Sequence, residues 1–456
     1  MLQLSFKQTN SELMVRAAST VLFNGLQRPH SVPLVAIGDL CEHPQYGFTA
    51  SAALEPIGPK FVRITDLQDG KIDWASVPFC RCEEPKKFAL YENDLLFART
   101  GATTGKTYLV RAPQPAVFAS YLIRLRPKPN VEVGYLYSFF QSDNYWSQIS
   151  EEKEGSAQPN VNAEKLVALK IPFVHPDLQR AIASFVDCVR RRQDGSLVDL
   201  PELPAPLADL KHTVARIEEL AAQVQGAQGL RMQAEEEAQA FFDSSLGRFF
   251  TGAATRFGIR MLNDFATVKG GKRLPAGERL SDEPTPHPYI RGSDMKKHSV
   301  NTSGLKYVPE RLFPPISRYI INSCDVYVTI AGTIGYPGTV PKELDGANLT
   351  ENAARLVFNT GTELSKEYVC YMLRSPQVQD HFLAKQTRAA QPKLALHRIG
   401  STQIPFPPPS QQRQIVAHLD SLQEKTDALR VLQAETSAEL DALMPAILDK
   451  AFRGEF

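Results

Sequence analysis

Long apolar runs are missing from this 456-residue sequence. None reaches the ~18 to 20 residues that a membrane-spanning helix needs. The start, Met1-Leu2-Gln3-Leu4-Ser5-Phe6-Lys7, lacks a charged segment leading into an apolar core, so no secretory signal is expected. Cysteine is scarce and dispersed, at Cys41, Cys80, Cys82, Cys188, Cys324 and Cys370. That scatter argues against a disulfide framework, and Cys80-Arg81-Cys82 has no second Cys or His pair at zinc spacing. An excess of either charge is absent too: 51 Lys and Arg meet 50 Asp and Glu, for a net charge of +1. A local basic groove can hide in a neutral total, so this balance neither supports nor excludes a nucleic-acid partner. The expectation is a cytoplasmic protein with reduced thiols. Its composition is ordinary for a globular chain, and its length suits roughly two to four domains.

What the chain does have is a duplication. Phe61-Val62-Arg63-Ile64-Thr65-Asp66-Leu67 answers Tyr289-Ile290-Arg291-Gly292-Ser293-Asp294-Met295 at an offset of 228 residues. Asp94-Leu95-Leu96-Phe97 answers Asp325-Val326-Tyr327-Val328, and Arg124-Leu125 answers Arg355-Leu356. Ile171-Pro172-Phe173 and Gln179-Arg180 return as Ile404-Pro405-Phe406 and Gln412-Arg413. A block of this size is a repeated domain, since solenoid periods run at ~20 to 50 residues. Each copy reads as mixed α/β. Strand-like runs at Lys60–Ile64, Asp94–Ala98 and Tyr121–Leu125 alternate with Gly- and Pro-rich loops, and Val133–Phe140 and Lys366–Leu373 look helical.

After each Ile-Pro-Phe the apolar period lengthens from 2 to about 3.5. Leu207, Leu210, Val214, Ile217, Ala221 and Val224 keep this step in the middle of the chain. Ile415, Leu419, Leu422, Leu429, Leu440, Leu443 and Ile447 keep it at the end. The pattern is a coiled-coil seam. Neither stretch carries a self-sufficient face, so the two helices are expected to pair antiparallel within the chain. Gly226 and Gly229 are expected to interrupt the central helix, and Gln193–Pro206 reads as a Pro-rich insertion.

Four shared turns carry polar chemistry. Gly101-Ala102-Thr103-Thr104-Gly105-Lys106-Thr107 resembles a phosphate-binding loop but is one residue short, and its counterpart Gly332-Thr333-Ile334-Gly335-Tyr336 has no Lys. Nucleotide hydrolysis is therefore not expected. A Gly-hydroxyl-Gly hairpin remains, and with Arg99 and Lys106 nearby it suits a DNA phosphate or base edge, or serves as a plain β-turn. Arg63 and Thr65, with Arg291 and Ser293, form the second turn. Here Arg either makes a bidentate contact to guanine or phosphate, or pairs internally with Asp66 and Asp294. The third is Tyr46-Gly47-Phe48-Thr49, matched by a cationic loop carrying Lys272 and Arg273. The fourth, around Ala157-Gln158-Pro159 and Ala390-Gln391-Pro392, reads as a structural turn. Catalytic constellations are not found: no metalloprotease helix, no Ser or Cys elbow with a base, no methyltransferase Asn-Pro-Pro-Tyr and no paired-acid nuclease motif.

These features resemble the specificity subunit of type I restriction-modification enzymes. The most specific phrases are Ile404-Pro405-Phe406-Pro407-Pro408-Pro409-Ser410-Gln411-Gln412-Arg413 and Ile447-Leu448-Asp449-Lys450-Ala451-Phe452-Arg453-Gly454. The chain departs from the family's pattern at His175-Pro176-Asp177-Leu178 and in the 193–206 insertion, which puts half-site spacing in doubt. The resemblance implies two α/β target recognition domains, at 1–176 and 251–408. They are separated by paired antiparallel helices, a central spacer at 177–250 and a C-terminal spacer at 409–456. It implies that each domain reads half of a bipartite, asymmetric site in double-stranded DNA. The helices would set the gap and dock two methyltransferase subunits, alongside a motor subunit. S-adenosylmethionine and ATP with Mg would then belong to partners, and this chain would bind no cofactor or metal and catalyse nothing. Expected DNA contacts are Tyr46, Thr49, Arg63, Thr65, Arg99, Thr103, Thr104, Lys106, Lys272, Arg273, Arg291, Ser293 and Thr333. Expected helix or partner contacts are Leu207, Leu210, Val214, Ile217, Ile415, Leu419, Leu422, Leu429, Leu440 and Leu443. The alternatives are a motor-less methylation or antiphage complex, and a scaffold for two proteins without DNA.

Overall fold

A computed structural model describes residues 9–27, 32–68, 70–101, 103–151, 161–383 and 393–456. The Gln-Pro turns at 157–159 and 390–392 lie outside that range. The chain forms two compact units: Met1–Ala227 with Glu439–Phe456, and Gln228–Ala438. The helical segments expected as separate spacers are thus shared out between the units.

The duplication is visible strand by strand. In the first unit a four-stranded antiparallel sheet runs in the order Gln45–Tyr46, Leu122–Leu125, Leu95–Ala98, Thr107–Leu109. In the second, the order is Ala266–Gly270, Ala353–Phe358, Val326–Thr329, Pro337–Thr339. Beside each sheet lies a parallel pair, Lys60–Val62 with Ala116–Phe118 and Pro288–Ile290 with Ala347–Leu349. A short hairpin follows the shared Arg-x-x-Asp turn in each, Leu67–Gln68 with Lys71–Ile72 and Met295–Lys296 with Ser299–Val300. The Ile-Pro strands also pair alike, Leu34–Ala36 with Lys170–Pro172 and Ile259–Met261 with Gln403–Pro405.

The Ile-Pro-Phe/Gln-Arg phrase now has a structural cause. Gln179 and Gln412 are each 1% exposed. The Gln412 amide donates to the carbonyls of Pro407 (2.9 Å) and Glu363 (3.0 Å), while its oxygen accepts from Ser365 N (2.9 Å). The Gln179 amide likewise donates to Val174 O (2.8 Å). Tyr135 and Tyr368, on the helices Val133–Gln141 and Lys366–Arg374, donate to Pro172 O (2.5 Å) and Pro405 O (3.2 Å). A buried amide satisfied on both ends locks one geometry, because leaving either end unmade costs a desolvation penalty.

Two helices run through both units: Leu210–Phe257 and Pro409–Arg453. In the first unit Leu207, Val214, Ile217 and Ala221 share a core with Ala451 and the half-buried Leu210, Met444, Leu448 and Phe452. In the second, Phe242, Leu246 and Phe250 pack with Ile415, Leu419 and the half-buried Leu422. Each unit therefore joins the early part of one helix to the late part of the other, the antiparallel arrangement expected. Two expectations are corrected. The central helix is continuous through Gly226 and Gly229. An isolated Gly in a helix costs about 1 kcal/mol against Ala, too little to break a helix that good formers and a packed face sustain. Leu443 is not on the seam: it is 44% exposed, while Met444 packs on the core. The seam steps from the half-buried Leu440 by four residues, not three. The helix Pro176–Gln193 ends where the Pro-rich segment begins, and that segment forms no helix or strand before Leu210.

Candidate nucleic-acid interface

The Gly-hydroxyl-Gly hairpin recurs in both units, one residue longer in the first, with Gly105 N donating to Ala98 O (2.8 Å) and Gly335 N to Thr329 O (2.8 Å). Gly101 (φ 83°), Gly105 (φ 89°), Gly332 (φ 79°) and Gly335 (φ 82°) all adopt the left-handed conformation that favours glycine. A Cβ on Gly105 would meet Trp146 at 3.0 Å, and one on Gly335 would meet Phe382 at 2.9 Å, so the second glycine also permits close packing. Within this hairpin Thr104 is 2% exposed and its hydroxyl donates to Gly101 O (2.7 Å). That inward brace corrects its expected DNA role. Thr103 is half-buried, whereas Thr333 is exposed.

The Arg-x-x-Asp turn is an internal ion pair in both copies. Arg63 Nε and Nη2 donate to Asp66 at 3.1 and 2.9 Å, and Arg63 N donates to the same carboxylate at 2.8 Å. Arg291 repeats the pattern on Asp294 at 2.9, 2.6 and 2.8 Å, with a further bond from Nη2 to Gly304 O at 2.9 Å. The carboxylate raises the pKa of both guanidiniums above their ordinary value. This corrects the expectation that Arg63 and Arg291 offer a free fork to DNA: the Nε–Nη2 edge of each is occupied. Thr65 and Ser293, on the same turns, are exposed. Asp294→Ala is expected to lower stability by about 2 kcal/mol, a partly screened version of the cost of breaking a buried pair, since the Arg291 side chain is 32% exposed. Thermal unfolding of the variant checks this, and a transition as late as in the parent protein would refute a structural role for the pair.

The two units differ in how their remaining cations are held. In the first, Lys106, expected as a cation near a DNA phosphate or base edge, bonds Glu12 (3.0 Å). Arg99 lies over the Tyr46 ring (5.0 Å), and its Nε is buried with no partner among the described residues. Tyr46 Oη accepts from Ala163 N (3.0 Å), and Thr49 is exposed. In the second unit Lys272 and Arg273 are exposed, and among the described residues neither has an ion-pair partner. Gly271 brings this loop against the sheet, where a Cβ would sit 2.0 Å from Thr350 O. Lys272 N donates to Leu349 O (2.8 Å), and Ile330 N donates to Asn352 O (2.7 Å). The turn Thr350–Asn352 therefore joins the cationic loop to the glycine hairpin. Next to it is a cavity of about 520 Å³ lined by Lys296, Lys297, Thr333, Tyr336 and Asn352 among others. Lys296 and Lys297 were not singled out by motif. The offset of 228 residues carries Asp69-Gly70 onto Lys297-His298, and that charge reversal between the copies was the available signal.

Among the described residues no helix is long and apolar enough to cross a membrane, and no cluster of His, Cys, Asp or Glu is placed to hold a metal.

A duplicated α/β scaffold with divergent polar turns and paired long helices defines a twin-domain recognition protein. The family model described as type I restriction modification DNA specificity domain matches residues 34–194 and 256–436. The chain belongs to that family. It is 21% identical over 404 residues to the type I restriction enzyme EcoKI specificity subunit of Escherichia coli K12, covering 86% of this chain and 82% of the relative. Against the EcoBI specificity subunit of Escherichia coli the figures are 22% over 469 residues, 99% and 91%. A solved chain from work on complex assembly and conformational transition of the type I R-M system superposes with a TM-score of 0.59 at 22% identity, covering 94% of this chain and 100% of that one. At that identity the superposition speaks for the fold alone.

Proposed function

We propose that this chain is the DNA-reading subunit of a type I restriction-modification complex. Each unit binds one half of a bipartite site in double-stranded DNA. The observation that carries the reading is one sheet-and-turn scaffold built twice with different side chains on its turns. The same scaffold fits the same kind of target, and different turn chemistry fits different half-sites, so the full site is asymmetric. Base edges in the major groove present distinct donor and acceptor patterns, while phosphate contacts set register.

The paired helices set the gap between half-sites and dock two methyltransferase subunits. Leu230, Met232, Val431 and Leu432, between 56% and 70% exposed on these helices, supply apolar surface for that docking. The methyltransferase partners bring S-adenosylmethionine and flip the target base out of the duplex. A separate motor subunit brings ATP with Mg. The residues of this chain bind and position; they catalyse nothing. Lys272 and Arg273 serve as phosphate contacts in the second unit.

A modified-base map of the source genome, with and without the gene, tests this. A gapped, two-part methylation motif should vanish on deletion. Complementation with the Lys272→Ala/Arg273→Ala double variant should restore the same motif at a reduced methylated fraction, because losing phosphate contacts weakens binding to all sequences alike. A map unchanged by deletion, with the methyltransferase expressed, would refute the specificity role.

A further inference from the structure

The hairpin Met295–Lys296/Ser299–Val300 turns through Lys297 (φ 49°) and His298 (φ 56°). A two-residue hairpin with both φ positive favours Asn-Gly or Asp-Gly, and side chains such as Lys and His are strained there. The matching sequence in the first unit is Asp69-Gly70, the residue pair such a turn favours. The second unit keeps the strained pair and holds it in place. The His298 ring stacks on Tyr336 (4.3 Å, 16°) and contacts Pro337 O through Nδ1 (2.8 Å). Its backbone N donates to Tyr336 Oη (2.8 Å), and its carbonyl accepts from Thr339 N (3.0 Å). Strain that persists because its surroundings over-determine it is often part of a function.

His298 turns inward, and Lys296 and Lys297 are left exposed on the wall of the 520 Å³ cavity. Among the described residues neither lysine has an ion-pair partner, and no carboxylate lines the cavity. Thr333 and the side-chain amide of Asn352 add polar groups without described side-chain partners. The corresponding cavity of the first unit, between the same turn and the same hairpin, has its cations neutralised. Lys106 pairs with Glu12 (3.0 Å), Lys71 with Asp194 (3.1 Å) and Arg16 with Asp143. One scaffold thus carries a compensated cavity in one copy and an uncompensated cationic cavity in the other.

We propose that Lys296 and Lys297 clamp two neighbouring DNA backbone phosphates, one each, beside the half-site of the second unit, contacts the first unit lacks. The two halves of the site are then gripped unequally, with the salt-sensitive hold on one side. This rests on the reading of the chain as a DNA-specificity subunit.

The test uses the full chain in its methyltransferase complex and a duplex carrying the methylated motif, with binding followed by anisotropy against salt. Each phosphate contact contributes about 0.9 to the slope of log affinity against log salt. Lys296→Ala/Lys297→Ala should lower the slope by up to about 2 and weaken binding at least about tenfold at physiological salt. The loss should be equal for all sequence variants of the half-site. Lys71→Ala, in the first unit, should change neither quantity. Lys297→Gly separates fold from function: it relaxes the turn, so the melting temperature should rise while the slope falls by about 1. A rise in melting temperature with unchanged DNA binding would overturn the clamp, as would an altered base preference with an unchanged slope. If the parent complex itself fails to retain the duplex, the DNA-specificity reading falls and the clamp with it.

Discussion

Leu419→Asp is expected to destabilise strongly the unit formed by Gln228–Ala438. Leu419 is 0% exposed and shares a core with Phe242, Leu246, Tyr368, Met372 and Ile404. That core is predominantly apolar, and the Tyr368 and Tyr371 hydroxyls in it already donate to Pro405 O and Asp420, so a carboxylate there is poorly compensated. The cost combines lost apolar burial with an uncompensated buried charge, about 4 kcal/mol or more. Against a typical domain stability of about 5 to 15 kcal/mol, that removes between about a quarter and most of the stability. Leu443→Asp, at a position the heptad pattern treated as equivalent, should shift stability by no more than about 0.5 kcal/mol, because Leu443 is already 44% exposed. Urea unfolding with peptide-level hydrogen exchange reads both. Retained protection of the peptides around Phe242 and Leu246 in the Leu419 variant would show that this residue is not in the core. The contrast also alters how a charged Leu419 variant is interpreted: loss of partner assembly would follow from destabilisation of the unit, not from damage to a docking face.

His298→Asn is expected to remove a large part of the second unit's loss of stability in acid. Burial, with Arg374 adding to it, pushes the His298 imidazole from its ordinary 6.5 down to about 4; the hydrogen bond to Pro337 O and the charge of Asp427 act the other way. A ring nitrogen 2.8 Å from a carbonyl carries the hydrogen, so the folded state holds a neutral ring protonated at Nδ1. Between pH 6.5 and about 4 the unfolded chain takes up a proton that the folded chain refuses. Stability tied to this group is therefore full above pH 6.5, falls as the pH drops and levels off below about 4. The gap corresponds to about 3 kcal/mol. Asn tolerates the left-handed backbone and does not titrate, so its variant should lack this limb. Burial raises the Asp325 pKa, and that group contributes with the opposite sign as its carboxyl ionises. It is common to both proteins, so the difference in urea unfolding free energy between pH 7 and pH 4 isolates the histidine. Parallel curves would mean that His298 charges freely in the fold.

Much of the architecture was readable because duplication is a property of order and spacing. The offset between copies placed the Arg-x-x-Asp turns, the glycine hairpins and the Ile-Pro strands in register before any coordinate was known. The structure then repeats the strand order, down to the parallel contact of Lys60–Val62 with Ala116–Phe118 and of Pro288–Ile290 with Ala347–Leu349, the latter widened by Lys306–Tyr307 and Ile320–Ile321. The heptad step located both long helices and most of their buried faces. It failed at Leu443 because periodicity does not fix whether the seam steps by three residues or four, and at the two glycines because a local propensity cost of about 1 kcal/mol is outweighed by the packed helix.

The site divides along the same line. Residue type and repeated position made Arg63 and Arg291 equally plausible as DNA readers or as half of an ion pair, since a guanidinium fork fits a carboxylate as well as a guanine or a phosphate. Only the three-dimensional distances decided for the carboxylate. Lys106 was decided in the same way, by Glu12, which lies 94 residues away in the chain. The exposure of Lys272, Arg273, Lys296 and Lys297 without ion-pair partners among the described residues could not be read in advance either, because ion pairing depends on which distant segments the fold brings together. The sequence by itself determined the twofold plan, the helix pair and the kind of residue on each turn, since those follow from local spacing and backbone preference. Which cations are compensated and which stay exposed was decided by tertiary structure alone, because charge neutralisation acts over a few ångströms of space, whatever the separation along the chain.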